Sequence, residues 1–273
     1  MRLSEKPVFE GKLYHIQIAP KTLPRYVLLP GDPKRTELIA SIWDRYEPVA
    51  FYRQYRSFKG TYRGAPIATL STGIGGPATE IAVIELLYAE CDTFIRVGST
   101  GALHENIEIG DLIINYAAVR LDGASKAYVP AEYPAVASID VTLALITAAE
   151  SLGYKYHVGI VASTDSFYCG QGRKVDGFLP DFQENLVERL RKTNVLNFEM
   201  ECATLFTLAN IFGARAGAVN AVFANRVTGE FEKKGEKEAA KVASEAVKIL
   251  YEWDMEAERK KNRWKPIVSR LLS

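Results

Sequence analysis

The chain has 273 residues, 48% hydrophobic and 25% charged, with 34 Lys and Arg against 33 Asp and Glu and a formal net charge of +1. That balance supplies ample core material and argues against the basic footprint of a nucleic-acid binder. The cysteines Cys91, Cys169 and Cys202 are too scattered for a disulfide framework, and no apolar run suits a leader or a membrane span, so the expected setting is the cytoplasm.

Residues 25–30 (RYVLLP) read as a strand. Asp32 then suits an N-cap and Pro33 the first helical turn, so a helix is expected over 33–42. A strand over 65–72 (APIATLST) leads through a glycine turn into a helix over 76–90, where Ile81, Ile84, Leu87 and Tyr88 recur at helical spacing. A short buried strand is expected over 93–98, with further strands over 111–120 and 156–163 separated by a helix around 138–152. A helix over 201–212 puts Leu205, Leu208 and Phe212 on one face; a strand over 215–224 and a long amphipathic helix over 236–253 follow. No repeat or linker interrupts the pattern, so residues 1–273 read as one α/β domain with a largely buried mixed sheet. The basic tail, ERKKNRWKPIVSRLLS, is expected to dock Trp264 and Leu271 on the domain or on a neighbour.

Two glycine-rich segments carry chemistry. Residues 73–78 (GIGGPA) match the dinucleotide fingerprint between a strand and a helix, which raises a nicotinamide oxidoreductase. That fingerprint also needs a carboxylate ending the next strand, and TFIRVG offers Arg96 instead. Residues 96–103 (RVGSTGAL) read as a strand end followed by a loop, Gly98 to Gly101, whose backbone N–H groups and hydroxyls could nest an anion. Gly31 and Arg35, at the start of the first helix, supply a second anion-binding feature, and Arg53 in FYRQYRSF a third arginine.

The segment NFEMECATL places Glu199 and Glu201 on either side of Met200 among apolar neighbours. A metal site, a helix cap and a pair of acceptors for a sugar diol are the competing readings, and His15, His104 and His157 are not spaced to complete the first. Residues 165–173 (DSFYCGQGR) crowd Phe167, Gln171 and Arg173 between glycines, a composition suited to gripping a flat polar ligand.

Taken together, LPGDPKR, STGIGGPATE, RVGSTGAL, VRLDGAS, SFYCGQGR, NFEMECATL and ANR resemble the nucleoside phosphorylase superfamily, and within it the uridine-cleaving members. The likeness runs in one order from about His15 to the helix at 236–253. It implies a three-layer α/β/α sandwich with a mixed, partly barrelled central sheet, assembled as a homohexamer built from dimers. The implied reaction is reversible phosphorolysis of uridine to uracil and ribose 1-phosphate, a step of pyrimidine salvage, without nucleic-acid or membrane partners.

By the same resemblance Gly31, Arg35, Arg96 and Ser99 bind phosphate, and Arg53 reaches it from the adjacent subunit. His15 contacts the ribose 5′-hydroxyl across that interface, while Met200 and Glu201, with Glu199 beside them, hold the ribose hydroxyls. Gly101, Phe167, Gln171 and Arg173 form the base pocket; Arg96, Glu201, Gln171 and Arg173 carry the catalysis. No cofactor is implied beyond phosphate as co-substrate. Bacterial members hold potassium with a Glu and a Ser where this chain has Gln54 and Ala78, so no potassium site is expected. Purine-cleaving relatives protonate the base with an Asp where this chain has Asn225, which sets purine or methylthioadenosine phosphorolysis behind uridine. A non-catalytic nucleoside sensor would not need the arginines. The segment after Arg173 (KVDGFLPDFQENL) departs from the family pattern, so closure over the base is expected to differ.

Overall fold

The computed structural model describes residues 6–260. A small antiparallel ladder joins β1 (Val8–Phe9) and β2 (Lys12–Leu13). Then come β3 (Tyr26–Leu29), α1 (Pro33–Ala40), β4 (Arg45–Tyr52), β5 (Tyr55–Tyr62), β6 (Ala65–Leu70), α2 (Gly76–Tyr88) and β7 (Thr93–Ala102). The second half holds β8 (Leu112–Leu121), β9 (Ala135–Val136), α3 (Ile139–Leu152), β10 (Tyr156–Thr164), α4 (Leu186–Lys192), β11 (Val195–Glu199), α5 (Cys202–Ile211), β12 (Arg215–Asn225) and α6 (Glu236–Lys260).

The main sheet runs β4-β5-β6-β3-β7-β12-β8-β10-β11, and β11 returns to pair antiparallel with β7. Strands β7, β12, β8, β10 and β11 thus close into a barrel, while β3 to β6 extend from it as an open mixed sheet. Side chains alternate across this sheet. Tyr26 and Leu28 share a buried cluster with Ile39 of α1, Leu145 of α3 and Val247 of α6. Val27 and Leu29 fall in a second cluster with Leu86 of α2 and Phe206 of α5. The result is the expected α/β/α sandwich with a partly barrelled centre.

The first turn forms as the sequence dictates: the Asp32 carboxylate accepts from Lys34 N at 2.8 Å, and Pro33 opens α1. One expectation is corrected. Residues 98–101 are not a loop, because β7 runs on to Ala102, pairing with β12 throughout and with β11 at its end. The glycine at 98 answers to packing: a Cβ there would sit 2.0 Å from Asn220 Oδ1. Helix α6 continues beyond residue 253 to Lys260, as its MEAERK run of good helix formers allows. Trp264 and Leu271 lie outside the described residues. Among the described residues no helix is long and apolar enough to cross a membrane.

Candidate active site

The ends of β3, β7, β11 and β12, with the 165–173 segment, surround a cleft of about 1040 Å³. Gly31, Arg35, Arg96, Ser99 and Gly101 line it, and so do Phe167, Gln171 and Arg173 and the run Glu199, Met200 and Glu201. Residues from four separate stretches of sequence are thereby brought to one place.

At its floor lies a buried charge cluster. Arg96 Nε donates to Glu199 Oε2 at 3.0 Å, and its Nη2 pairs with Glu201 Oε2. Burial alone would pull the guanidinium down, but Glu201 and Glu199 outweigh it and hold Arg96 above its ordinary value. Among the described residues the buried Arg96 Nη1 has no hydrogen-bond partner, and a buried donor without a partner is costly.

The two carboxylates divide their work. Both oxygens of Glu199 are taken by the protein: Ser163 Oγ, the backbone N–H groups of Glu201 and Cys202, and Arg96. Glu199 therefore caps α5 and orients Arg96, and the helix-cap reading of this motif belongs to it. Glu201 accepts from Gly75 N at 2.7 Å, from Met200 N at 3.2 Å and from Arg96 Nη2, fewer donors than Glu199 takes. Burial lifts the Glu201 carboxyl above the ordinary carboxylate range, Arg96 opposes the rise and Glu199 adds to it. The Gly75 contact also disposes of the dinucleotide fingerprint, since an N–H of that glycine turn points at a protein carboxylate. Cys202 offers no nucleophile, because burial and the Glu199 charge push its thiol well up.

Around the 165–173 segment the polar groups form a chain. Gln171 Nε2 donates to Thr164 Oγ1 at 3.2 Å, and Gln171 Oε1 accepts from Arg173 Nη1 at 2.5 Å. Arg173 lies over the Phe167 ring, 4.0 Å from its centroid, and its Nη1 also reaches the Phe167 carbonyl at 2.6 Å. Arg226, which sequence reasoning passed over as part of ANR, lines the same cleft and donates to the Gln171 carbonyl at 3.0 Å. Among the described residues neither Arg173 nor Arg226 has a carboxylate within ion-pair distance. Burial, then Arg226, brings the Arg173 guanidinium down to about 10, and burial lowers Arg226 as well. Two unneutralised cations on one wall suit a ligand that gathers negative charge.

Asn225 is committed to the backbone: it donates to the carbonyls of His104 and Ile107 and accepts from Val227 and Thr228. It shapes the turn and has no proton to give a base. Phe231, outside every quoted motif, and Ile74, within GIGGPA, both line the cleft, are strongly exposed and add apolar surface.

His15 and Arg53 do not line this cleft. Arg53 sits at the β4–β5 hairpin turn with a positive φ of 54°, over the rings of Tyr14 and Tyr52. The Tyr14 ring meets His15 edge-on at 4.8 Å, and His15 Nδ1 is held by Glu85 at 2.5 Å. The two residues thus share one outward-facing patch.

The chain belongs to the phosphorylase superfamily, whose family model matches residues 25–252. It is 64% identical over 259 residues to a uridine phosphorylase of Thermococcus kodakarensis, covering 94% of each chain. A uridine phosphorylase of Escherichia coli is 40% identical across 91% of this chain and 100% of its own. A guanosine phosphorylase of Halorubrum lacusprofundi is 37% identical across 80% of this chain and 86% of its own.

Proposed function

We propose that the enzyme catalyses reversible phosphorolysis of uridine, with three kinds of site sharing the cleft. Gly31, Ser99, Arg35 and the unpaired Nη1 of Arg96 take the phosphate. Met200 and Glu201 hold the ribose, with Glu199 as their support. Gly101, Phe167, Gln171 and Arg173, joined by Arg226, take the base. As the C1′–N1 bond breaks, its electron pair passes into the uracil ring, and a phosphate oxygen forms the new bond to C1′ from the opposite face. No side-chain base is needed, since phosphate is already a nucleophile; positioning and charge stabilisation supply the rate. Gln171 presents an amide that can both donate and accept, and Arg173 only donates, which matches an imide edge with its flanking carbonyls.

The observation that carries this reading is the pair Arg173 and Arg226, cationic and, among the described residues, with no carboxylate at ion-pair distance, in a cleft that also holds the open Arg96 donor. A hexamer built from dimers would complete the site. Arg53 and His15 share a patch outside their own cleft, joined through the Tyr14 ring. Potassium is not expected to bind, because Ala78 brings no side-chain oxygen and its carbonyl accepts from the Tyr55 hydroxyl at 3.1 Å.

Ultraviolet absorbance of uridine, thymidine, guanosine, inosine and methylthioadenosine, with and without phosphate, tests the reading. Loss of uridine that requires phosphate is expected. Guanosine cleaved faster than uridine would reverse the base assignment.

A further inference from the structure

Arg35 is held from outside the cleft. Its Nε and Nη2 both donate to one oxygen of Glu236, at 2.9 and 2.7 Å, and its Nη1 reaches the Val97 carbonyl at 3.4 Å. The side chains are 9% and 15% exposed, so this is not the solvent-screened kind of ion pair that contributes little. Glu236 opens α6, where an acidic residue is favourable for the helix dipole alone. That role asks nothing of Arg35, and Glu238 serves it in the same turn. The doubled contact does something else. By occupying the Nε edge, the carboxylate fixes the rotation of the guanidinium and, with the Val97 carbonyl on Nη1, leaves one N–H on each Nη for the cleft that Arg35 lines. The other Glu236 oxygen meets Lys233 Nζ at 3.1 Å. Lys233 follows Arg226, Gly229, Glu230 and Phe231, all of which line that cleft.

We propose that Glu236 is a positioning residue for phosphate: it sets the Arg35 guanidinium so that the free edge of its fork meets the incoming oxyanion. The proposal rests on reading the cleft as a phosphate and uridine site. A carboxylate so close to an anion also repels it, and the sign of the mutational effect separates the two roles. Lost positioning weakens phosphate binding, whereas lost repulsion tightens it.

The test combines calorimetric titration of inorganic phosphate with steady-state kinetics on the full chain. Glu236→Ala is expected to raise the phosphate Kd and phosphate KM about tenfold, about 1.4 kcal/mol, with uridine KM within about twofold of wild type. Glu236→Gln keeps an oxygen to accept from Nε and is expected to recover most of the loss. Should the alanine variant fail to fold, Glu236→Asp decides, with phosphate weakened about threefold as the carboxylate is drawn back by one methylene. Unchanged or tighter phosphate binding overturns the proposal, as does an equal loss of uridine and phosphate affinity. Wild-type enzyme that binds phosphate without cleaving uridine would overturn the function while still letting the phosphate titrations judge Glu236. Wild type that binds no phosphate overturns both.

Discussion

Arg173→Ala separates the chemistry of the cleft from the stability of the fold. In the structure Arg173 Nη1 holds the Gln171 amide oxygen and the Phe167 carbonyl, and we assign a further N–H to a uracil carbonyl. Removing a charged donor to the developing base anion costs about 1.5–3 kcal/mol, and freeing the Gln171 amide about 0.5–1.5 kcal/mol more. The sum, about 2–4.5 kcal/mol, converts to a fall of roughly 30- to 2000-fold in kcat/KM for uridine. Stability should move little or the other way. Burial and Arg226 disfavour the Arg173 charge in the folded protein, so its removal relieves a penalty, although a half-exposed guanidinium is partly screened. Uridine kinetics and a thermal melt on the same preparation check both halves. A near-normal kcat/KM would refute the base assignment; a Tm lowered by many degrees would refute the claim that the contact serves chemistry rather than the fold.

The raised Glu201 carboxyl gives a pH signature. If the ionised form holds the ribose, kcat/KM falls as pH drops through that raised value, above the ordinary carboxylate range; Glu201→Gln should be weakly active with the acidic limb gone. The folded protein binds this proton more tightly than the unfolded chain, so the Glu201 contribution to stability is present at low pH and is lost as pH rises through the same window. A stability profile rising with pH there, traced to Glu201 by the same variant, would contradict the assignment. Gly98→Ala should drive a methyl into Asn220 Oδ1 and disturb the 2.8 Å bond from Asn220 to Asn115, costing about 2–4 kcal/mol; an unchanged melt would show that the strand can yield. Mixing Arg53→Ala with Glu201→Ala subunits after dissociation should restore activity at mixed interfaces, and none restored would mean that Arg53 does not act in trans.

Much of this site was legible because its parts are local in sequence. Asp32 and Pro33 announce α1, and the crowded Phe167, Gln171 and Arg173 do meet in the cleft. What was hidden depends on partners distant in the chain. Nothing local distinguishes Glu199 from Glu201; Arg96 pairs with both, and only the donors from Ser163 and the start of α5 make Glu199 a support and leave Glu201 with fewer partners. Gly98 reads as loop and is strand, since the demand for glycine comes from Asn220 across β12. Strands β4 and β5 escaped notice because Arg45, Tyr46 and Glu47 are all exposed, so β4 lacks the inside–outside alternation that marks a strand. Strand β11 hides behind the buried Asn197, which donates to Thr100 and Asn115 inside the barrel. Arg226 carries no local signal beside Asn225; its place in the cleft and its bond to the Gln171 carbonyl appear only in the fold.

Strand β7 has hydrogen-bonded neighbours on both edges, and its last residues also seal the barrel against β11. Its amides should therefore exchange with solvent only through global unfolding, while those of the 165–185 and 226–235 segments exchange through small local openings. Arg96, Ser99 and Gly101 ride on the slow element; Gln171, Arg173 and Arg226 ride on or beside the fast ones. On the assignment proposed above, a lineage can thus rewrite the nucleobase it accepts by editing loops of low local stability, without touching the strand proposed to receive the nucleophile.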